Sequence, residues 1–210
     1  MKLLAHLGVK SVPVISLGEK WIFAQDLKVV AEFCGIEKLP EKLPPATLVD
    51  KLDMVISGAQ RFIAQMPPER LNDMLPGRPR PYRDLFYHIF VIPDLFVDAA
   101  RDGKEITEKG FEKGAPEGST VESIVAYGEE VKKRVHDWWD KVEDKNLDFM
   151  VPTYYGEHTA HDTLERTTWH AGQHVRQVMF IHGTLGVRTN QPLTDQDFAG
   201  LPMPKSVWDG

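Results

Sequence analysis

Thiol is nearly absent from this sequence: Cys34 is the one cysteine in 210 residues. That count excludes a disulfide within the chain and any Cys-rich zinc site, and it suits a reducing compartment. Long apolar runs are missing too. No stretch reaches the roughly 18 apolar residues that a membrane-spanning helix needs, and the opening Met1-Lys2-Leu3-Leu4-Ala5-His6-Leu7 is too short and too soon interrupted for a secretory signal core. The expectation is a cytoplasmic protein with no membrane partner. Excess positive charge is the third lack. Against 31 Asp and Glu stand 25 Lys and Arg, a net charge of −6, so the phosphate backbone of nucleic acid is not an expected partner.

What remains is an ordinary globular composition, 42% hydrophobic and 27% charged, with eight histidines as the unusual supply of metal ligands and proton carriers. The length fits one domain with a small element attached. In that element Ser11-Val12-Pro13-Val14-Ile15-Ser16 and Trp21-Ile22-Phe23 are β-rich runs around the turn chemistry of Leu17-Gly18-Glu19-Lys20. Leu27, Val30, Ala31 and Cys34 then recur at helical spacing before Gly35. We read residues 1–37 as a strand, strand, helix unit, and 38–46, with Pro40, Pro44 and Pro45, as a stiff linker.

From residue 47 the period becomes helical. Thr47 is the expected cap of a first long helix with Leu48, Leu52, Val55, Ile56, Ala59, Phe62 and Ile63 as its buried stripe. A second runs from about Tyr82 to Arg101, with Pro93 predicting a kink. A third opens on the capping-box sequence Ser119-Thr120-Val121-Glu122, and a fourth extends from about His158 to Thr184. The fold class this predicts is mainly α: a four-helix bundle with long connections over 47–186, a β-hairpin and helix before it, and a tail, 187–210, packing on the bundle.

His170-Ala171-Gly172-Gln173-His174 puts two imidazoles at i and i+4, on one helical face, where one metal ion can bridge them. Ala171 stands where a zinc-protease helix needs glutamate, so that reaction is not expected. Taken alone, the pair is better read as surface or core histidines than as ligands. The candidate third ligand is His88, in a helix otherwise apolar at Leu85, Phe86, Ile89 and Phe90. The other reading of His88 is a core histidine bonded to a carbonyl or to Asp84. His158, His161 and His182 compete for the role, and Asp84, Asp162 and Glu165 are candidate acceptors for imidazole N–H groups. Trp138 fits the core stripe of the third helix. Trp139, Tyr154 and Tyr155 are placed to line a pocket mouth, and Arg176 either holds a substrate carboxylate or faces solvent.

A lone histidine in the second helix and His-x-x-x-His in the fourth, within Trp169-His170-Ala171-Gly172-Gln173-His174-Val175-Arg176-Gln177, resembles the DinB-like superfamily over about Thr47 to Gly186. The resemblance implies that His88, His170 and His174 hold a divalent metal such as zinc, nickel, iron or manganese. It further implies a thiol-dependent transferase or isomerase using glutathione, mycothiol or bacillithiol.

Gly8 to Gln25 with the helix that follows is similar to the second half of a glutaredoxin or thioredoxin-type domain. That resemblance implies a cis proline at Pro13 and pairing of the Val12 backbone with the peptide part of glutathione. The Cys-x-x-Cys half is absent, so disulfide reduction is not expected. The element either retains a thiol-docking surface at Val12 and Pro13 or only packs, and its strand edge is a natural seam for a homodimer.

The expected function is a metal-dependent enzyme that activates water or a low-molecular-weight thiol against a small electrophilic molecule, by S-transfer, isomerisation or hydrolysis. The alternative is a non-catalytic, stress-related binding or dimerisation module with a structural metal or none.

Overall fold

The computed structural model describes residues 14–24, 27–37, 41–75 and 79–208. The chain divides into two units, Met1–Glu41 and Lys42–Gly210. In the first, β1 (Val14–Leu17) and β2 (Lys20–Phe23) pair antiparallel, Val14 opposite Phe23 and Leu17 opposite Lys20, across a turn in which Gly18 takes φ 63°. Helix α1 (Leu27–Cys34) follows and ends at Gly35, φ 68°. Val12 and Pro13, the candidate thiol-docking residues, lie outside the described residues.

The second unit is mainly helical. Its long helices are α2 (Pro45–Ile63), α3 (Tyr82–Asp102), α5 (Val121–Lys141) and α6 (Ala160–Leu185), with the four-residue α4 (Glu108–Phe111) between α3 and α5. Helix α2 packs on α5 and α6, and α3 packs on the same two, so the four long helices close a ring around one core. The stripe expected for α2 is buried in full. Helix α3 is buried on most of its surface, including Phe86, Phe90 and Phe96 at 0% exposure, and stops where Gly103 takes φ 66°. Among the described residues no helix is long and apolar enough to cross a membrane.

Two helix starts differ from expectation. Thr47 does not cap α2. The cap position is Pro44, three residues earlier, and Pro45 opens the first turn, where a missing N–H costs nothing. The capping box of α5 is shifted by one residue: Thr120 is the cap, its hydroxyl accepting from Ser123 N and the Ser123 hydroxyl accepting from Thr120 N.

Two connections also hold structure the sequence did not announce. The hairpin of β3 (Met150–Thr153) and β4 (Gly156–Thr159) leads into α6, and Ile106 pairs with it through Ile106 N to Pro152 O at 3.0 Å and Tyr154 N to Ile106 O at 2.8 Å. Those two bonds bring the α3–α5 connection, with α4 in it, onto the start of α6.

His182 is fully buried near the end of α6, its Nδ1 3.0 Å from the Thr189 hydroxyl. Burial pulls its pKa below the ordinary range, with the Phe62 backbone opposing. The unfolded chain therefore takes up a proton near pH 6.5 that the folded chain refuses. This contribution to stability is full above about pH 6.5 and is lost as pH falls below it, by at most about 1.4 kcal/mol per pH unit. Urea unfolding of metal-free protein at about pH 7.5 and 5.5 is expected to show a smaller acid loss for His182→Asn than for the unchanged chain. Equal losses would place the acid sensitivity elsewhere.

Candidate metal centre

His88 lies about a third of the way along α3, 4% exposed, on the side facing α6. The 3.6-residue period carries His170 and His174 to one face of α6, and the two Nε2 atoms stand 3.0 Å apart. His88 completes the group, with ring centroids 5.8 Å from His170 and 5.1 Å from His174. One ligating nitrogen from each of the three lies within 4.8 Å of the others.

The group fits a metal ion on several counts. Metal–nitrogen bonds of about 2.0–2.1 Å at angles between square and tetrahedral separate two nitrogens by about 2.9–3.4 Å, which the Nε2 pair matches without movement. All three donors are imidazoles, and burial favours the neutral, ligating form of His88 and His170. His88 has its pKa pushed well below the ordinary value by burial, then by His174 and Arg80, against a smaller opposing pull from the Phe111 backbone. His170 is pushed the same way by burial first, then by His174, His88, Arg166 and Arg80. Imidazoles crowded together in this way disfavour protonation of one another and present lone pairs that a cation can take. The Nδ1 atoms are less well served: His170 Nδ1 is buried with no hydrogen-bond partner among the described residues, and His88 Nδ1 has none of normal geometry.

Aromatic side chains wall the group. The Phe111 ring stands edge-on to His88 at 5.0 Å and tilted to His170 at 5.2 Å, and Trp169 stacks on His170 at 5.6 Å. Beside His170 a cleft is lined by Ile92, Ile106, Phe111, Tyr155, Arg166 and two threonines, Thr163 and Thr167. Arg166 lies over the Tyr155 ring at 4.6 Å. Tyr154 touches the wall through Phe111 at 6.0 Å, and Tyr155 packs edge-on against Tyr154.

The remaining expected site residues have other surroundings. Asp84 Oδ1 accepts the Ala115 N–H at 3.1 Å, so this carboxylate holds the loop before α5. Trp139 lies on α5 with the Lys145 ammonium 4.4 Å over its ring. The Arg176 guanidinium donates to Gln173 Oε1 at 2.8 Å and Pro204 O at 2.7 Å, engaged by the chain itself. His158 sits in β4 against Tyr155, His161 Nε2 donates to Leu43 O at 2.8 Å, and Asp162 takes Lys42 and the Thr159 hydroxyl. Glu165 is half-buried, and burial raises its carboxyl pKa against the pull of Lys42 and His161.

Sequence reasoning missed Phe111, Arg166 and Gln177. Phe111 left one signal, a large aromatic alone in a polar, Gly-rich connection. Gln177 left none, although its Oε1 accepts from His174 Nδ1 at 2.7 Å.

A ring of four long helices, with three histidines meeting from two of them beside a cleft, defines a helical protein with a candidate three-histidine metal centre. The family model of the DinB superfamily matches residues 51–178, a span that includes all three histidines, and the chain belongs to that superfamily. No curated protein matches it.

Proposed function

We propose that this chain is a metal-dependent enzyme of the DinB superfamily, its four long helices forming the family's four-helix bundle and His88, His170 and His174 holding one divalent ion: zinc, nickel, iron or manganese. The observation that carries the reading is the convergence of three imidazoles, one ligating nitrogen from each within 4.8 Å of the others. An ion bound there supplies Lewis acidity, which makes water or a low-molecular-weight thiol such as glutathione nucleophilic near neutral pH. The chain's own residues do the rest. Burial favours the neutral form of His88 and His170, Phe111 and Trp169 keep bulk water from the ligands, and the small cavity of about 10 Å³ at Tyr155 and Arg166 has room for one water on the His170 side of the group. A purely structural metal is ordinarily enclosed by four protein ligands. Three ligands, one of them lining a cleft, favour an open position and therefore chemistry.

The test is elemental analysis of protein purified without a histidine tag, followed by calorimetry with glutathione before and after chelation. One divalent ion per chain is expected, none in the His88→Ala/His170→Ala/His174→Ala triple variant, and glutathione heat only from the loaded protein. A fully loaded triple variant would overturn the site. Loaded protein that ignores glutathione would leave water as the activated molecule.

A further inference from the structure

We propose that the segment 204–208 is a strap that sets the orientation and tautomer of His174, and that Gln177 is the positioning residue through which it acts. The inference rests on the metal-centre reading for its purpose, although its geometry stands without a metal. Between residues 187 and 208 the chain forms no helix or strand, yet consecutive carbonyls of its last part are held by one face of α6. Gln173 Nε2 donates to Ser206 O at 3.0 Å and Val207 O at 2.7 Å, Arg176 Nη1 to Pro204 O at 2.7 Å, and Gln177 Nε2 to Val207 O at 3.1 Å. The Ser206 hydroxyl donates to Trp208 O at 2.7 Å, and the Trp208 ring packs edge-on against Phe180 at 5.8 Å. The approach to the strap is anchored independently: Phe198 and Leu201 are buried, and the Phe198 ring lies close over Gly172, where a Cβ would stand only 3.1 Å away.

The chemistry of the amide converts this grip into a constraint on His174. A backbone carbonyl can only accept, so Val207 O fixes the NH2 end of Gln177 on its side. The opposite end, Oε1, must then face His174 Nδ1, 2.7 Å away, and it too can only accept. His174 therefore carries its proton on Nδ1, leaving the Nε2 lone pair directed at the space shared with His170. The other two histidines lack such a guide, since neither His88 Nδ1 nor His170 Nδ1 has a hydrogen-bond partner of normal geometry among the described residues. Partners that fix a ligating imidazole in this way ordinarily contribute about 10- to 100-fold in metal affinity. Gln177 is buried, 4% exposed, so neither of its amide ends can exchange its partner for bulk water without local opening.

Three variants test the strap: Gln177→Leu, a chain stopped after Met203, and the two changes combined. Zinc affinity is measured by competition with a chromophoric chelator, and the His174 tautomer in metal-free protein by long-range proton–nitrogen NMR. The full chain is expected to show the Nδ1–H tautomer alone. Each single variant is expected to mix the two tautomers and to lose about 10- to 100-fold in zinc affinity, and the combined variant to lose no more than Gln177→Leu does. Losses that add in the combined variant, or an unchanged tautomer in the shortened chain, would overturn the strap. If the full chain binds no zinc while the tautomer still responds to both changes, the metal-centre reading fails and the positioning role stands.

Discussion

His88→Leu is expected to stabilise the metal-free protein and, in the same molecule, to abolish stabilisation by metal. The two effects oppose each other because His88 is a buried polar side chain whose Nδ1 lacks a hydrogen bond of normal geometry, facing two further imidazoles. Replacing a poorly satisfied buried polar group by an apolar one of similar size removes a desolvation cost of about 1–3 kcal/mol. A ligand that binds only the folded state adds RT ln(1 + [L]/Kd), about 4 kcal/mol at a thousandfold excess over Kd. Urea unfolding with chelator should therefore place the variant above the unchanged chain. With about a thousandfold excess of zinc over Kd the order should reverse. A variant that keeps the zinc-dependent rise would remove His88 from the ligand set. One that is weaker without metal as well would make it an ordinary core histidine. The reversal is the expected signature of a side chain retained for binding at a cost in stability.

The three histidines were legible in the sequence because helical period is local information: i and i+4 share a face wherever the helix forms, and an imidazole among Leu85, Phe86, Ile89 and Phe90 stands out against its neighbours. The core stripe of α2 was legible for the same reason. The start of α2 was not, because Thr47 and Pro45 both signal an N-terminus and the proline, which fits only the first turn, decides the position. The β3–β4 hairpin was invisible for want of length. Four-residue strands containing Pro152 give no alternation to count, and the pairing of Ile106 with Thr153 joins segments far apart in sequence.

Side chains that bond to distant backbone leave still less trace. Arg176 looked available for a carboxylate because nothing in the sequence tells that Pro204, 28 residues on, presents its carbonyl there. Gln177 was one more polar residue of a helix until Val207 and His174 were seen on its two ends. In the N-terminal unit the hairpin and helix were both legible from β-rich runs, a Gly turn and helical spacing, all local signals.

Gly128→Val is expected to destabilise the protein by about 3 kcal/mol or more, and Gly128→Ala by about 1–3 kcal/mol. Glycine is a poor helix former, so its place in the middle of α5 requires a compensating contact. That contact is the close approach of α5 to α3: a Cβ at position 128 would stand 2.6 and 2.7 Å from two ring carbons of Phe90 and 3.0 Å from Gln60 Cγ. Gln60 can move, since its side chain reaches Glu129 at an exposed position. Phe90 cannot, since it is fully buried and lies 6.3 Å edge-on to Tyr127. The added carbon must therefore push the helices apart or force the ring from its rotamer. Truncating the ring makes the room that the added methyl needs. Phe90→Leu alone should lower stability through a cavity, whereas Phe90→Leu with Gly128→Ala should be more stable than the summed losses allow, by about 0.5–3 kcal/mol of coupling. Additive losses would show that the helices adjust freely at this crossing. Phe90 projects from α3 about 200° around the helix from His88, so zinc affinity of the folded variants should stay at the level of the unchanged chain. A fall in affinity would mean instead that the α3–α5 spacing is transmitted to the histidines across the body of α3.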